Sequence, residues 1–136
     1  MITGIGHVAF RCSDLGAALE FYCGKLGFTK MFTLPGPDGK VWIQYIGVTH
    51  QQYIELFPDD GAIERPDTAA YRHLALHTDD LAADVERLRA AGVTIDIEPK
   101  RGDDGNLQAW ISDPDGNHIE LMQLMPGSLQ KEADPD

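Results

Sequence analysis

Apolar and polar positions run through the same succession twice along this chain. Gly6-His7-Val8-Ala9-Phe10 and Arg72-His73-Leu74-Ala75-Leu76 are strand-like runs, each followed by an acidic step suited to capping a helix, Ser13-Asp14-Leu15 and Thr78-Asp79-Asp80-Leu81. Leu15, Ala18, Leu19 and Tyr22 then recur at helical spacing up to Gly27, and Leu81, Val85 and Leu88 do so up to Gly92. Each glycine stands where a left-handed helix stop is expected. β-rich runs follow, Val41 to Val48 and Leu107 to Ser112, and after a polar turn each half closes on a shorter run, Tyr53-Ile54-Glu55-Leu56-Phe57 or His118-Ile119-Glu120-Leu121-Met122. The copies hold nearly one register, with His7 and His73 lying 66 positions apart and Glu55 and Glu120 65. The pattern predicts an α+β fold of two βαβββ modules in tandem, each a curved mixed sheet with a helix packed outside.

Module one is placed at 2–57 and module two at 70–125, joined by a linker at 58–69 that holds Pro58, Asp59, Asp60, Gly61 and Pro66. Together they form a single domain over 1–125. Loops at 34–39 and 101–105 read as mobile rims of a site. The acidic end, 126–136, lacks a periodic apolar face and is expected to be flexible.

Composition narrows the setting. A chain of 136 residues, 43% hydrophobic and 24% charged, suits one packed domain. Eleven basic against 22 acidic residues leave a net charge of −11, which repels phosphate backbones and anionic lipid, so neither nucleic acid nor membrane is an expected partner. No stretch approaches the roughly 20 apolar residues of a membrane span. Cys12 and Cys23 are too few for a disulfide framework and read as small buried residues in a reducing, cytoplasmic setting.

The duplication also repeats a chemistry. Each half carries a histidine on its first strand and a glutamate at the centre of its last, so the fold supplies His7, Glu55, His73 and Glu120. Taken singly, each of these is equally an ordinary strand residue or a salt-bridge partner. Taken together, and with both glutamates set inside apolar strings, they form a candidate metal site. Two imidazoles and two carboxylates suit borderline divalent ions such as nickel, cobalt, zinc, iron or manganese, and the lack of thiolates argues against a structural zinc site. Arg11 shares the strand face of His7 and is a candidate carboxylate binder, or else one half of an internal ion pair. His77 repeats that position beyond His73, whereas His50 lies in a turn and His118, though of the same parity as Glu120, immediately follows one, and both read as non-ligands. Trp42, Tyr45, Phe57 and Trp110 read as strand aromatics of the core, with at least one of them able to wall a pocket.

With these residues in place, Gly-His-Val-Ala-Phe-Arg, Tyr-Ile-Glu-Leu, Arg-His-Leu-Ala-Leu and the run from Asp113-Pro114-Asp115-Gly116-Asn117 through Glu120, the chain resembles the vicinal-oxygen-chelate superfamily over residues 2 to about 125. That superfamily includes glyoxalase I, epimerases, extradiol dioxygenases and drug-binding resistance proteins. The chain is most similar to the short bacterial glyoxalase I, or lactoylglutathione lyase, whose His, Glu, His, Glu quartet His7, Glu55, His73 and Glu120 match position by position. The resemblance implies isomerisation of a hemithioacetal, formed from a 2-oxoaldehyde and glutathione or another thiol, to a 2-hydroxyacyl thioester through an enediolate. It implies Glu120 as base with Glu55 as its partner, Arg11 on the thiol's carboxylate, and nickel or cobalt as the favoured ion. It also implies a homodimer with sites at the subunit interface. An epimerase, an extradiol-type dioxygenase and a metal-free drug-binding protein are the alternatives it leaves.

Overall fold

The computed structural model describes residues 1, 3–61, 63 and 70–134. Most of the expected linker therefore lies outside the described residues. The chain separates into two compact units, Met1–Asp67 and Thr68–Asp136.

The first unit runs β1 (His7–Cys12), α1 (Leu15–Leu19), a π-helical turn (Glu20–Lys25), β2 (Thr29–Pro35), β3 (Val41–Thr49) and β4 (Gln52–Pro58). Its sheet has the order β1-β4-β3-β2, with β1 parallel to β4 and the other pairs antiparallel. The second unit repeats this as β5 (Leu74–His77), α2 (Leu81–Ala90), β6 (Ile97–Arg101), β7 (Leu107–Ser112) and β8 (His118–Gln123), in the order β5-β8-β7-β6. This is the expected βαβββ arrangement, found twice, with two four-stranded mixed sheets.

Both helices start as the sequence predicts. The Asp14 carboxylate accepts from the Ala17 N–H at 2.9 Å, and Asp80 accepts from Ala83 at 3.0 Å. They end at Gly27 and Gly92, with φ of 82° and 80°. Alternation then sorts each sheet. Phe10, Cys12, Ile46, Ile54 and Leu56 are buried with Ala18, Phe21 and Tyr22 of the first helix, while Ala109, Ile111, Ile119 and Leu121 are buried with Leu81, Val85 and Leu88 of α2. The residues of opposite parity take the other sheet face, and these include all four candidate ligands.

The one-residue slip between the copies has a location. Asp14 and Asp80 are 66 positions apart but Gly27 and Gly92 are 65, so the first helix holds one extra residue, and it is absorbed as the π turn. There Leu26 N–H bonds to Phe21 O, five residues back, at 2.9 Å. The widened turn brings the neighbours Phe21 and Tyr22 both inward, edge to face at 5.1 Å, with Tyr22 between Phe10 and Phe28.

The segment from 126, read as a flexible tail, holds a short helix α3 (Leu129–Ala133) capped by Ser128, whose hydroxyl accepts from the Lys131 N–H. Buried Asn106 ties it down: its amide donates to Asp104 and Gln130 and its carbonyl accepts from Met125 N–H. Leu129 N–H also reaches Asp104 O at 2.8 Å. These polar anchors leave no apolar periodicity in the sequence. They also hold the 101–105 loop, where Arg101 donates to Gly105 O.

Candidate functional site

In the first unit the parallel pairing of β1 and β4 sets Ala9 beside Glu55, and His7, two residues earlier on the same face, reaches the carboxylate. His7 Nε2 lies 3.4 Å from Glu55 Oε2. Ala9 is small enough to leave this approach open. Across the other edge of β4, Tyr45 stands directly opposite Glu55. The carboxylate holds the Tyr45 phenol protonated above its usual range, first by a hydrogen bond, then by desolvation and by its charge. The Tyr45 ring stacks on Phe32 at 4.4 Å.

The second unit repeats the geometry. Ala75 pairs with Glu120 and Trp110 stands opposite it. His73 Nε2 lies 3.2 Å from Glu120 Oε2, and the imidazole meets Trp110 edge to face at 4.8 Å. The Trp110 indole N–H donates to Gln108 at 2.8 Å. The β7–β8 turn is fixed by the buried Asp113 carboxylate, which accepts from the N–H of Asp115 and Asn117 and from the Asn117 amide, with Gly116 at φ 78°. Through that turn the Asp-Pro-Asp-Gly-Asn segment sets the register that places Glu120 opposite Trp110.

Glu55 is 6% exposed, whereas half of the His7 side chain faces solvent. A buried carboxylate beside an accessible imidazole is a donor pair open on one side. An imidazole nitrogen and a carboxylate oxygen converging in each unit fit a borderline divalent ion, and neither cysteine belongs to either pair. Among the described residues no three side chains of His, Cys, Asp or Glu gather in an ion-holding group, so the candidate ligands stand as pairs, one per unit.

The remaining candidates are less available. Arg11 lies on the same face as His7, but its guanidinium is paired with Asp59 just past β4. His118, the first residue of β8, sets its Nδ1 3.3 Å from Oγ of its cross-strand partner Ser112, which also bonds Asp96. Trp42 is 55% exposed and meets Phe57 edge to face. Of the four strand aromatics that the sequence offers as core or pocket wall, Tyr45 and Trp110 are the two that stand opposite the glutamates. The signal was in the register: each lies ten residues before its glutamate.

The family model for the Glyoxalase/Bleomycin resistance protein/Dioxygenase superfamily matches residues 4–121. The chain is 33% identical over 122 residues to the lactoylglutathione lyase of Salmonella typhimurium, covering 86% of this chain and 90% of that protein. It is similar to a glyoxalase family protein from Enterococcus faecalis (TM-score 0.78, 27% identity, 88% of this chain and 96% of that one). It is also similar to TnmS3, an antibiotic binding protein from Streptomyces sp. CB03234 (TM-score 0.72, 30% identity, 91% and 98%). No helix among the described residues is long and apolar enough to cross a membrane. By its duplicated sheets and by the match along nearly its whole length, the chain belongs to the Glyoxalase/Bleomycin resistance protein/Dioxygenase superfamily.

Proposed function

We propose that this protein is a metal-dependent, glyoxalase I-like isomerase that converts the hemithioacetal of a 2-oxoaldehyde and a thiol into a 2-hydroxyacyl thioester. The observation that carries the reading is the repetition of one His–Glu pair at one register position in both units, His7 with Glu55 and His73 with Glu120. Similarity to lactoylglutathione lyases over 86% of the chain supports it. His7, Glu55, His73 and Glu120 would hold the ion, nickel or cobalt being favoured. When bound, the ion supplies Lewis-acid stabilisation of the negative charge that develops on the substrate oxygens as a carbon-bound proton leaves.

The protein's part is to move that proton. Glu120 takes it from the carbon bearing sulfur and delivers it to the adjacent carbonyl carbon, while the hydroxyl proton passes from the oxygen of the first carbon to the oxygen of the second, with Glu55 as the counterpart of Glu120. The sulfur-bearing carbon is oxidised and its neighbour reduced, so no outside oxidant is required. Tyr45 and Trp110 flank the pairs as aromatic walls that limit water. Arg11, on the face of His7, offers a cation for the thiol's carboxylate and shares it with Asp59. The protein acts as a homodimer in the cytoplasm, with each site built from one unit of either subunit. The exposed Met31, Phe32, Leu34 and Trp42 of the first sheet support burial against a second copy.

Thioester formation from methylglyoxal is the test, using metal-stripped protein reloaded with nickel, cobalt or zinc, with and without glutathione. The expected result is turnover that needs both ion and thiol and falls by at least about 100-fold in Glu120→Gln. Full activity of that variant would overturn the assignment of the base. Similarity to an antibiotic binding protein favours a second reading, sequestration of a drug. Tight binding of an aromatic antibiotic by metal-free protein that lacks turnover would establish it.

A further inference from the structure

The two His–Glu pairs share one backbone frame but differ in what faces the carboxylate across the sheet, a tyrosine in the first unit and a tryptophan in the second. Directly opposed residues on one face of an antiparallel pair bring their Cβ atoms to about 5 Å, within reach of a phenol. The Tyr45 ring is held in this position. Phe32 stacks on its ring at an interplanar angle of 17°, and Gln44, 1% exposed, donates its amide to the backbone carbonyls of both Phe32 and Tyr45 at 3.1 and 2.8 Å. That amide bridges the irregular stretch between Lys30 and Thr33 where the β2–β3 register shifts. Trp110 has no hydroxyl, and its N–H is committed to Gln108.

We propose that Tyr45 is a positioning residue, its hydroxyl anchoring the Glu55 carboxylate toward His7 while Glu120, which lacks this tether, is free to swing. The inference rests on the metal-dependent reading above and adds to it a structural cause for unequal roles of the two glutamates. A carboxylate that gives one oxygen to a hydroxyl has fewer orientations open to it, so the pair with His7 is pre-set for an ion. On the second unit a carboxylate between an alanine, an imidazole and an indole ring can leave and return without breaking a hydrogen bond to its cross-strand neighbour.

Tyr45→Phe removes the hydroxyl and keeps the ring that Phe32 stacks on. Cobalt(II) is the probe, through its affinity by equilibrium dialysis and its visible absorption bands, with kcat and KM measured on the cobalt-loaded protein. The expected result is cobalt affinity lowered about 10-fold, shifted absorption bands and a reduced kcat at nearly constant KM, with an unchanged melting temperature. Unchanged affinity and bands would overturn the inference. Should the wild-type protein itself bind no cobalt, the metal reading falls, and the anchor is then judged in metal-free protein by the carboxylate 13C resonance of Glu55. A displaced resonance in Tyr45→Phe upholds the anchor, and an unmoved one refutes it.

Discussion

At the scale of single residues the duplication made the two His–Glu pairs legible, because His7, Glu55, His73 and Glu120 hold equivalent places and two occurrences of one pattern outweigh either alone. Arg11 has no such twin. From the sequence it stands as a binder or as half of an ion pair, and the structure gives it Asp59, whose carboxylate also accepts from Gly61 N–H. Both side chains are partly exposed, so the pair is worth at most about 1 kcal/mol and a substrate carboxylate can compete for the guanidinium. Asp59→Asn is therefore expected to leave stability nearly unchanged and to lower KM for a carboxylate-bearing hemithioacetal by roughly 2- to 5-fold. Arg11→Ala should raise KM with kcat largely retained. Equal KM values in steady-state assays of all three proteins would remove Arg11 from the site.

At the scale of elements, whatever followed from apolar periodicity was legible and whatever followed from polar anchoring or local insertion was not. The helix starts and stops and the central strands obey period and capping rules. By contrast, β2 and β6 are exposed along their whole lengths and end in or contain a proline, so no alternation marks their bounds. The π turn is invisible to a 3.6-residue template, and only the change of offset from 66 to 65 betrays it. Within that turn Gly24 has ordinary helical φ, and an added Cβ would meet only the end of the flexible Glu20 side chain at 3.0 Å. Gly24→Ala should raise stability by about 0.5–1 kcal/mol through helix propensity and a less flexible unfolded chain. Gly92→Ala, at φ +80°, should cost about 1 kcal/mol although nothing lies within 4 Å of its Cβ. Urea denaturation monitored by circular dichroism checks both, and a loss of stability in Gly24→Ala would mean that the π turn needs glycine for a reason other than space.

At the scale of the whole molecule, the described residues of each unit bring together two candidate donors, fewer than the three or four protein ligands of an ordinary catalytic ion site. The proposed site therefore requires a pair from each unit, and the proposed homodimer draws them from different subunits. Mixing two inactive variants decides this. In a dimer of His7→Ala with His73→Ala, intersubunit assembly places both defects in one site and leaves the other with all four ligands. Assembly within a chain instead leaves one defect in every site. Random exchange of subunits makes about half of the dimers mixed, each with one intact site of two, so unfolding and refolding an equimolar mixture should restore about a quarter of wild-type activity. Each variant treated alone should stay at its own background, and the restored activity should carry one tightly bound ion per mixed dimer. No recovery, in a mixture shown by native mass spectrometry to contain mixed dimers, would place each site within a single chain. The charge of −11 predicts that subunit exchange is faster at low salt, where self-repulsion of the protomers is least screened.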